Sequence, residues 1–234
     1  MKKINSNDFT WGIEIEGVFS TDFIERLTYG ESLKGRLVEQ HADSSVNLNG
    51  GEIDCANFDD PSRTRELAIG IFNSHKELLR TLKKFKNENY LWNSSCGIHL
   101  HLKPKNEEVR KVFMDYNFIK TLQEIAEKMD ERISERINKD GGWCQKYKSL
   151  KGTREQMERQ EKYKFVRNHP KGTFEFRFFS ANRNRERNIA VFVKLMLIEL
   201  NKVKNVKSKT YFLKAEEKIE IKTTFNHYQN NKIK

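Results

Sequence analysis

The chain reads as α+β: a mostly antiparallel sheet with helices packed on one of its faces. Three observations predict this. Short apolar-polar alternations come in clusters, the long amphipathic patterns fall between them, and the last strand pair is separated by a spacer short enough for a hairpin. The alternating stretches also carry the chemistry. Glu14-Ile15-Glu16, His99-Leu100-His101 and Glu175-Phe176-Arg177 each set two ionisable groups around one apolar residue. In a strand, residues i and i+2 share a face, so each stretch points two functional groups one way and its hydrophobic residues the other.

The elements follow in order. A first strand is expected over Thr10–Phe19, with Trp11, Ile13 and Ile15 inward. A second is expected over Arg36–Ala42, ending at Asp43-Ser44-Ser45, and a third over Glu52–Ala56 after the Asn49-Gly50-Gly51 turn signal. Pro61-Ser62 opens an expected helix to about Lys86, with Leu67, Ile71, Leu78, Leu82 and Phe85 as its apolar stripe. Ser95–Leu102 is the next strand, stopped by Pro104. Asn106 caps a helical region with Glu107 and Glu108 in its first turn. Apolar residues recur from Val109 to Ile137 at three- and four-residue spacing, giving one long helix or two in tandem. Residues 143–160 are basic and weakly patterned, a loop that would close over the site. Lys162–Asn168 and Gly172–Phe179 form the hairpin, and Arg185–Lys204 a last helix that buries Ile189, Phe192, Val193, Met196, Leu197 and Leu200.

With 234 residues and 16 Phe, the chain can bury one sizeable core. No apolar run approaches the length of a membrane span, and no apolar segment follows Met1-Lys2-Lys3, so a cytoplasmic location is expected. Cys55, Cys96 and Cys144 are odd in number and far apart, as free thiols would be. Net charge is +11, but residues 201–234 hold nine Lys against three Glu. The excess lies largely in a Lys-rich tail, so nucleic acid is a secondary candidate partner. The organisation expected is a catalytic domain over 1–204 and a tail over 205–234.

The paired residues form a set suited to a metal–phosphate substrate. Adjacent glutamates on one strand face repel, and a cation resolves that conflict. Carboxylates favour Mg²⁺ or Mn²⁺, while imidazole draws towards Mn²⁺ or Zn²⁺. Arginine offers a fork for phosphate oxygens. No glycine-rich phosphate loop is present, so a nucleotide would be held by metal, Arg and Lys on a sheet face. Two rivals share some of these residues. His-x-His with Glu107 or Glu108 would suit a cupin-like metal enzyme, and Cys96 beside His99 would suit a thiol nucleophile.

The order of motifs resembles the amidoligase family, a branch of the glutamine-synthetase-like carboxylate–amine ligases. The resemblance rests on Trp11-Gly12-Ile13-Glu14-Ile15-Glu16, Asp43-Ser44-Ser45, Gly50-Gly51-Glu52-Ile53, Cys96-Gly97-Ile98-His99-Leu100-His101-Leu102, Lys162-Tyr163 and Gly172-Thr173-Phe174-Glu175-Phe176-Arg177. It implies a glutamine-synthetase-like catalytic fold and ATP-dependent ligation through an acyl phosphate. It implies Glu14, Glu16, Glu52, His99 and Glu175 as metal ligands, with Mg²⁺ or Mn²⁺ as the metal. His101 would approach the ATP phosphates, with Lys162 and Arg167 as further nucleotide-binding candidates. Arg177 would stabilise the transferring phosphoryl group, and Asp43 would hold or deprotonate the incoming amine. The substrates would be small-molecule or peptide carboxylates and amines. Family members occur in phage and mobile elements, some beside glutamine amidotransferases or peptidases, which makes such enzymes candidate partners. One departure is Asp54-Cys55-Ala56-Asn57, where the family usually has small residues and proline.

Overall fold

A computed structural model describes residues 3–20, 22–23, 25–26, 37–42, 65–85, 90–92, 96–138, 144–147, 159–161, 164–181 and 185–205, with only the backbone of 37–42, 65, 90, 91, 132, 138, 204 and 205. Asp43, Glu52 and Lys162, the strand expected at Glu52–Ala56, most of the 143–160 loop and the tail beyond 205 lie outside the described residues.

The described strands form a seven-stranded sheet. In chain order they are β1 (Phe9–Phe19), β2 (Leu37–Ala42), β3 (Arg65–Phe72), β4 (Tyr90–Leu91), β5 (Gly97–Pro104), β6 (Val166–Asn168) and β7 (Phe174–Ser180). Their spatial order is β2-β3-β1-β5-β7-β6, with β4 pairing the end of β1. Every one of these pairings is antiparallel. Among the described strands β2 and β6 end the order, and no described pairing closes it into the barrel a cupin needs.

The helices are α1 (His75–Leu82), α2 (Glu107–Phe113), α3 (Tyr116–Glu127), α4 (Glu131–Asn138) and α5 (Arg185–Asn205). The pattern from Val109 to Ile137 is thus three short helices: Asp115 interrupts it as an N-cap that accepts from the amides of Asn117 and Phe118, and a second break follows the C-cap Lys128. Asn106 caps α2 as expected, accepting from Glu108 N–H.

One expected helix is corrected. Residues 65–72 form strand β3, and only His75–Leu82 is helical. Leu67, Ile69 and Phe72 are buried while Ile71 is 62% exposed, so the buried set does not follow the helical stripe. β-branched residues flank Gly70, which disfavours a helix, and Ser74 starts the true helix by accepting from Glu77 N–H. β3 also supplies the hydrogen-bonding partner that one side of central β1 requires.

The apolar residues of the central strands meet the helices in a phenylalanine-rich core. Phe113 of α2 stacks on Phe174 at 5.0 Å between ring centroids and contacts Phe118 of α3 at 5.2 Å. Phe192 of α5 lies 5.1 Å from Phe176 and 4.9 Å from Phe178. Burying each such ring contributes about 1.5–3 kcal/mol, and well-set ring pairs add roughly 0.5–1.5 kcal/mol. Between β5 and β7 the register slips: Ile98 faces Phe179 while Leu100 faces Phe176, so β7 carries one extra residue opposite His99. That bulge lets both Phe178 and Phe179 pack on Phe192. Such a bulge also re-aims neighbouring side chains, here Arg177.

No described helix is long and apolar enough to cross a membrane.

Candidate functional site

Register brings the predicted pairs together on the sheet face opposite the phenylalanine core. Glu14 of β1 faces His99 of β5, and His101 faces Glu175 of β7. On the other side of β1, Glu16 faces Glu66 of β3. Glu14, Glu16, His99, His101, Glu175 and Arg177 therefore share one site, joined by Glu66.

His99 is its centre. Its Nδ1 lies 3.1 Å from Glu14 Oε2, 3.5 Å from Glu175 Oε1 and 3.9 Å from Glu66 Oε2. Its Nε2 lies 3.2 Å from Glu16 Oε1. Both ring nitrogens thus face carboxylates, which calls for an imidazolium. Burial and the charge of Arg177 press against that charge, yet hydrogen bonds to Glu14 and Glu16 outweigh them and raise His99 to about 9.

The carboxylates respond in the opposite direction. Burial alone would raise Glu14, but its contacts with His101 and His99 hold it well below the usual carboxylate range. Glu16 is likewise lowered against its burial, by His99, by the Gly97 amide and by the charge of Arg136. Glu175 is lowered against burial by Arg177 and the two histidines. These glutamates are ionised at neutral pH.

Glycine at 97 is required by close approach. Its N–H donates to Glu16 Oε2 at 2.6 Å. A Cβ there would stand 2.8 Å from Arg136 Nη2, 3.0 Å from Glu16 Oε2 and 3.4 Å from His99 Nε2. Arg136 reaches this point from α4 and donates to the Cys96 carbonyl at 3.3 Å. At the other end, Arg177 pairs with Glu175 through Nη1, and Arg167 reaches the same carboxylate at 3.4 Å.

Among the described residues two groups of ligand atoms are close enough to share a cation: Glu14, Glu66 and His99, and Glu14, His101 and Glu175. Within each group the atoms lie within 4.8 Å of one another, and Glu14 belongs to both. Carboxylate oxygens with one imidazole per group suit Mg²⁺ or Mn²⁺. An orphaned atom supports the fit. His101 Nε2 lies 3.1 Å from Glu14 Oε1 but off the angle of a hydrogen bond, so this buried nitrogen has no hydrogen-bond partner among the described residues. Its Nδ1 is 3.3 Å from Thr173 Oγ1. With a cation bound, Nδ1–H would donate to Thr173 and leave the Nε2 lone pair to ligate it beside Glu14. For His99, three carboxylates converge on Nδ1, while Glu16 receives Nε2–H and would orient the ring from behind.

Glu66 is absent from the set the sequence pattern singles out, because the apolar spacing around it also fits a helix. Its signal was the alternation Glu66-Leu67-Ala68-Ile69. For the rival readings, Glu108 is exposed on α2 and paired with Lys111, and neither Glu107 nor Glu108 joins a cation-sized group among the described residues. Cys96 is fully buried with 0% exposure, out of reach of an external electrophile.

No protein-family model matches the chain, and no curated protein matches it.

Proposed function

We propose that the chain is an ATP-dependent carboxylate–amine ligase of glutamine-synthetase-like fold, working on metal-bound ATP through an acyl phosphate. The observation that carries this reading is one antiparallel sheet face holding two cation-sized carboxylate–imidazole groups beside a buried arginine. Arg177 Nε is buried without a hydrogen-bond partner among the described residues, although Nη1 engages Glu175. A buried guanidinium with an unused donor beside carboxylates is placed to receive an anionic oxygen.

A divalent cation at Glu14, Glu66, Glu175 and the histidines would withdraw charge from the nucleotide's phosphate oxygens. Arg177 would donate to the oxygens of the transferring phosphoryl group, in a site where burial strengthens that interaction. Glu175 holds Arg177 in place, and Arg167 adds a second guanidinium on the same carboxylate. A substrate carboxylate oxygen would bond to the γ-phosphorus as the bond to the β-bridging oxygen breaks, releasing ADP. An amine nitrogen would then attack the acyl carbon, lose a proton and expel inorganic phosphate. Asp43 is the candidate to receive that proton.

The test is ADP and phosphate release across pairs of carboxylates and amines, with Glu14→Ala and Arg177→Ala as controls. The proposal expects release that needs both substrates and is lost in both variants. AMP and pyrophosphate as products would replace it with adenylation.

A further inference from the structure

At the β6–β7 turn, His169 is an imidazole outside the set described above. Its backbone closes the turn: its N–H donates to the Thr173 carbonyl at 2.8 Å, and its carbonyl accepts from Gly172 N–H at 2.8 Å. Gly172 has φ +79°, which glycine adopts without strain. The ring is fixed as well. Its Nδ1 accepts from the Lys171 backbone N–H at 3.2 Å. A backbone amide can only give a proton, so Nδ1 is unprotonated and neutral His169 carries its proton on Nε2.

The ring stands edge-on to His101, 5.6 Å between centroids, and within electrostatic reach of Glu175, His101, Arg167 and Glu14. The side chain is half-buried, at the margin of the cluster rather than inside it. Lys103, two residues beyond His101 on the same strand face, brings its Nζ within 3.9 Å of where a Gly172 Cβ would stand. The polar face is therefore polarised. Glu14, Glu16 and Glu66 lie towards the β1–β3 side, while the β6–β7 side carries His169 and Lys103 at the turn and Glu175 already engaged by Arg167 and Arg177.

We infer that His169 is a further substrate-positioning residue, donating its Nε2–H to a phosphate oxygen of the bound nucleotide as part of an anion subsite with Lys103 at this turn. The inference rests on the metal–ATP reading of the neighbouring cluster. A phosphoanhydride chain needs cation ligands at one point and neutral or cationic donors further along, and the face supplies both in that order.

Binding of Mg²⁺·AMP-PNP, and separately of Mg²⁺·pyrophosphate, to the wild-type chain and to His169→Asn, His169→Gln and His169→Ala tests this by calorimetry. The Asn carbonyl can still accept from Lys171 N–H and keep the turn, but no donor then reaches the Nε2 position. The Gln amide can reach that position. The expected result is wild-type binding, roughly tenfold or greater weakening in His169→Asn and His169→Ala, and substantial recovery in His169→Gln. Unchanged affinity in His169→Asn overturns the inference, as does equal weakening in Asn and Gln. Pyrophosphate binding with the expected variant pattern, but no AMP-PNP binding, keeps the subsite and removes the ATP reading. A wild-type chain that binds neither removes both.

Discussion

Cation binding to this face should expel a proton from His99. In the metal-free protein His99 is held at about 9, against an ordinary 6.5. The folded state therefore binds this proton more tightly than the unfolded state. The resulting stability is complete below pH 6.5 and fades as the pH climbs through 9, a change of about 3 kcal/mol. Glu14, Glu16 and Glu175 are shifted below 4.5, so their contribution is complete above pH 4.5 and fades as the solution is acidified. Metal-free stability should peak between pH 4.5 and 6.5. A cation held by Glu14, Glu66 and His99 must take the Nδ1 position, because that nitrogen faces the three carboxylates at 3.1–3.9 Å. At pH 7.5 an Mn²⁺ bound at this position should release close to one proton, and its apparent affinity should rise by up to about tenfold per pH unit until His99 is neutral. Calorimetry in two buffers of different ionisation enthalpy counts that proton, and His99→Gln should abolish its release. No proton release at pH 7.5, with affinity flat from pH 7 to 9, would refute this reasoning.

Two substitutions separate the site from the scaffold. Gly97→Ala should cost roughly 1–3 kcal/mol of stability and weaken Mn²⁺ binding, measured by denaturant titration and calorimetry. The Arg136 tip can swing away from the new Cβ, whereas Glu16 is tied to the Gly97 amide, so the displacement falls on Glu16 and then on His99. Glu66→Gln keeps the shape and should change metal-free stability by less than about 1 kcal/mol, since Glu66 is half-buried and 3.9 Å from His99. It should nevertheless weaken Mn²⁺ at least about tenfold, and wild-type affinity would exclude Glu66 as a ligand.

The site was legible where strand alternation and chemistry coincide. Ile13, Ile15, Ile98, Leu100, Phe174 and Phe176 are all buried, so their alternation marked which face Glu14, His99 and Glu175 occupy. Glu66 was missed because Leu67, Ile71, Leu78 and Leu82 happen to repeat at near-helical spacing. Strand β3 is instead set by a long-range fact, the unpaired side of β1, that no local window contains. The bulge opposite His99 was equally hidden: Phe178-Phe179 gives no hint by itself, and Phe192 of α5 determines that both rings turn inward. His169 falls in the short spacer between the hairpin strands, and its fixed tautomer follows from the Lys171 amide. Thus pairs within one strand were readable, while partners from other elements depended on tertiary register.

The most direct test of a metal–ATP centre on this face is pulsed electron paramagnetic resonance of Mn²⁺ bound to the chain with AMP-PNP. The same bound ion should show ³¹P coupling from the nucleotide and ¹⁴N coupling from imidazole, with the nitrogen signal reduced in His99→Gln. A spectrum with phosphorus coupling alone, unchanged by His99→Gln or Glu14→Gln, would place the nucleotide-bound ion elsewhere and contradict the account.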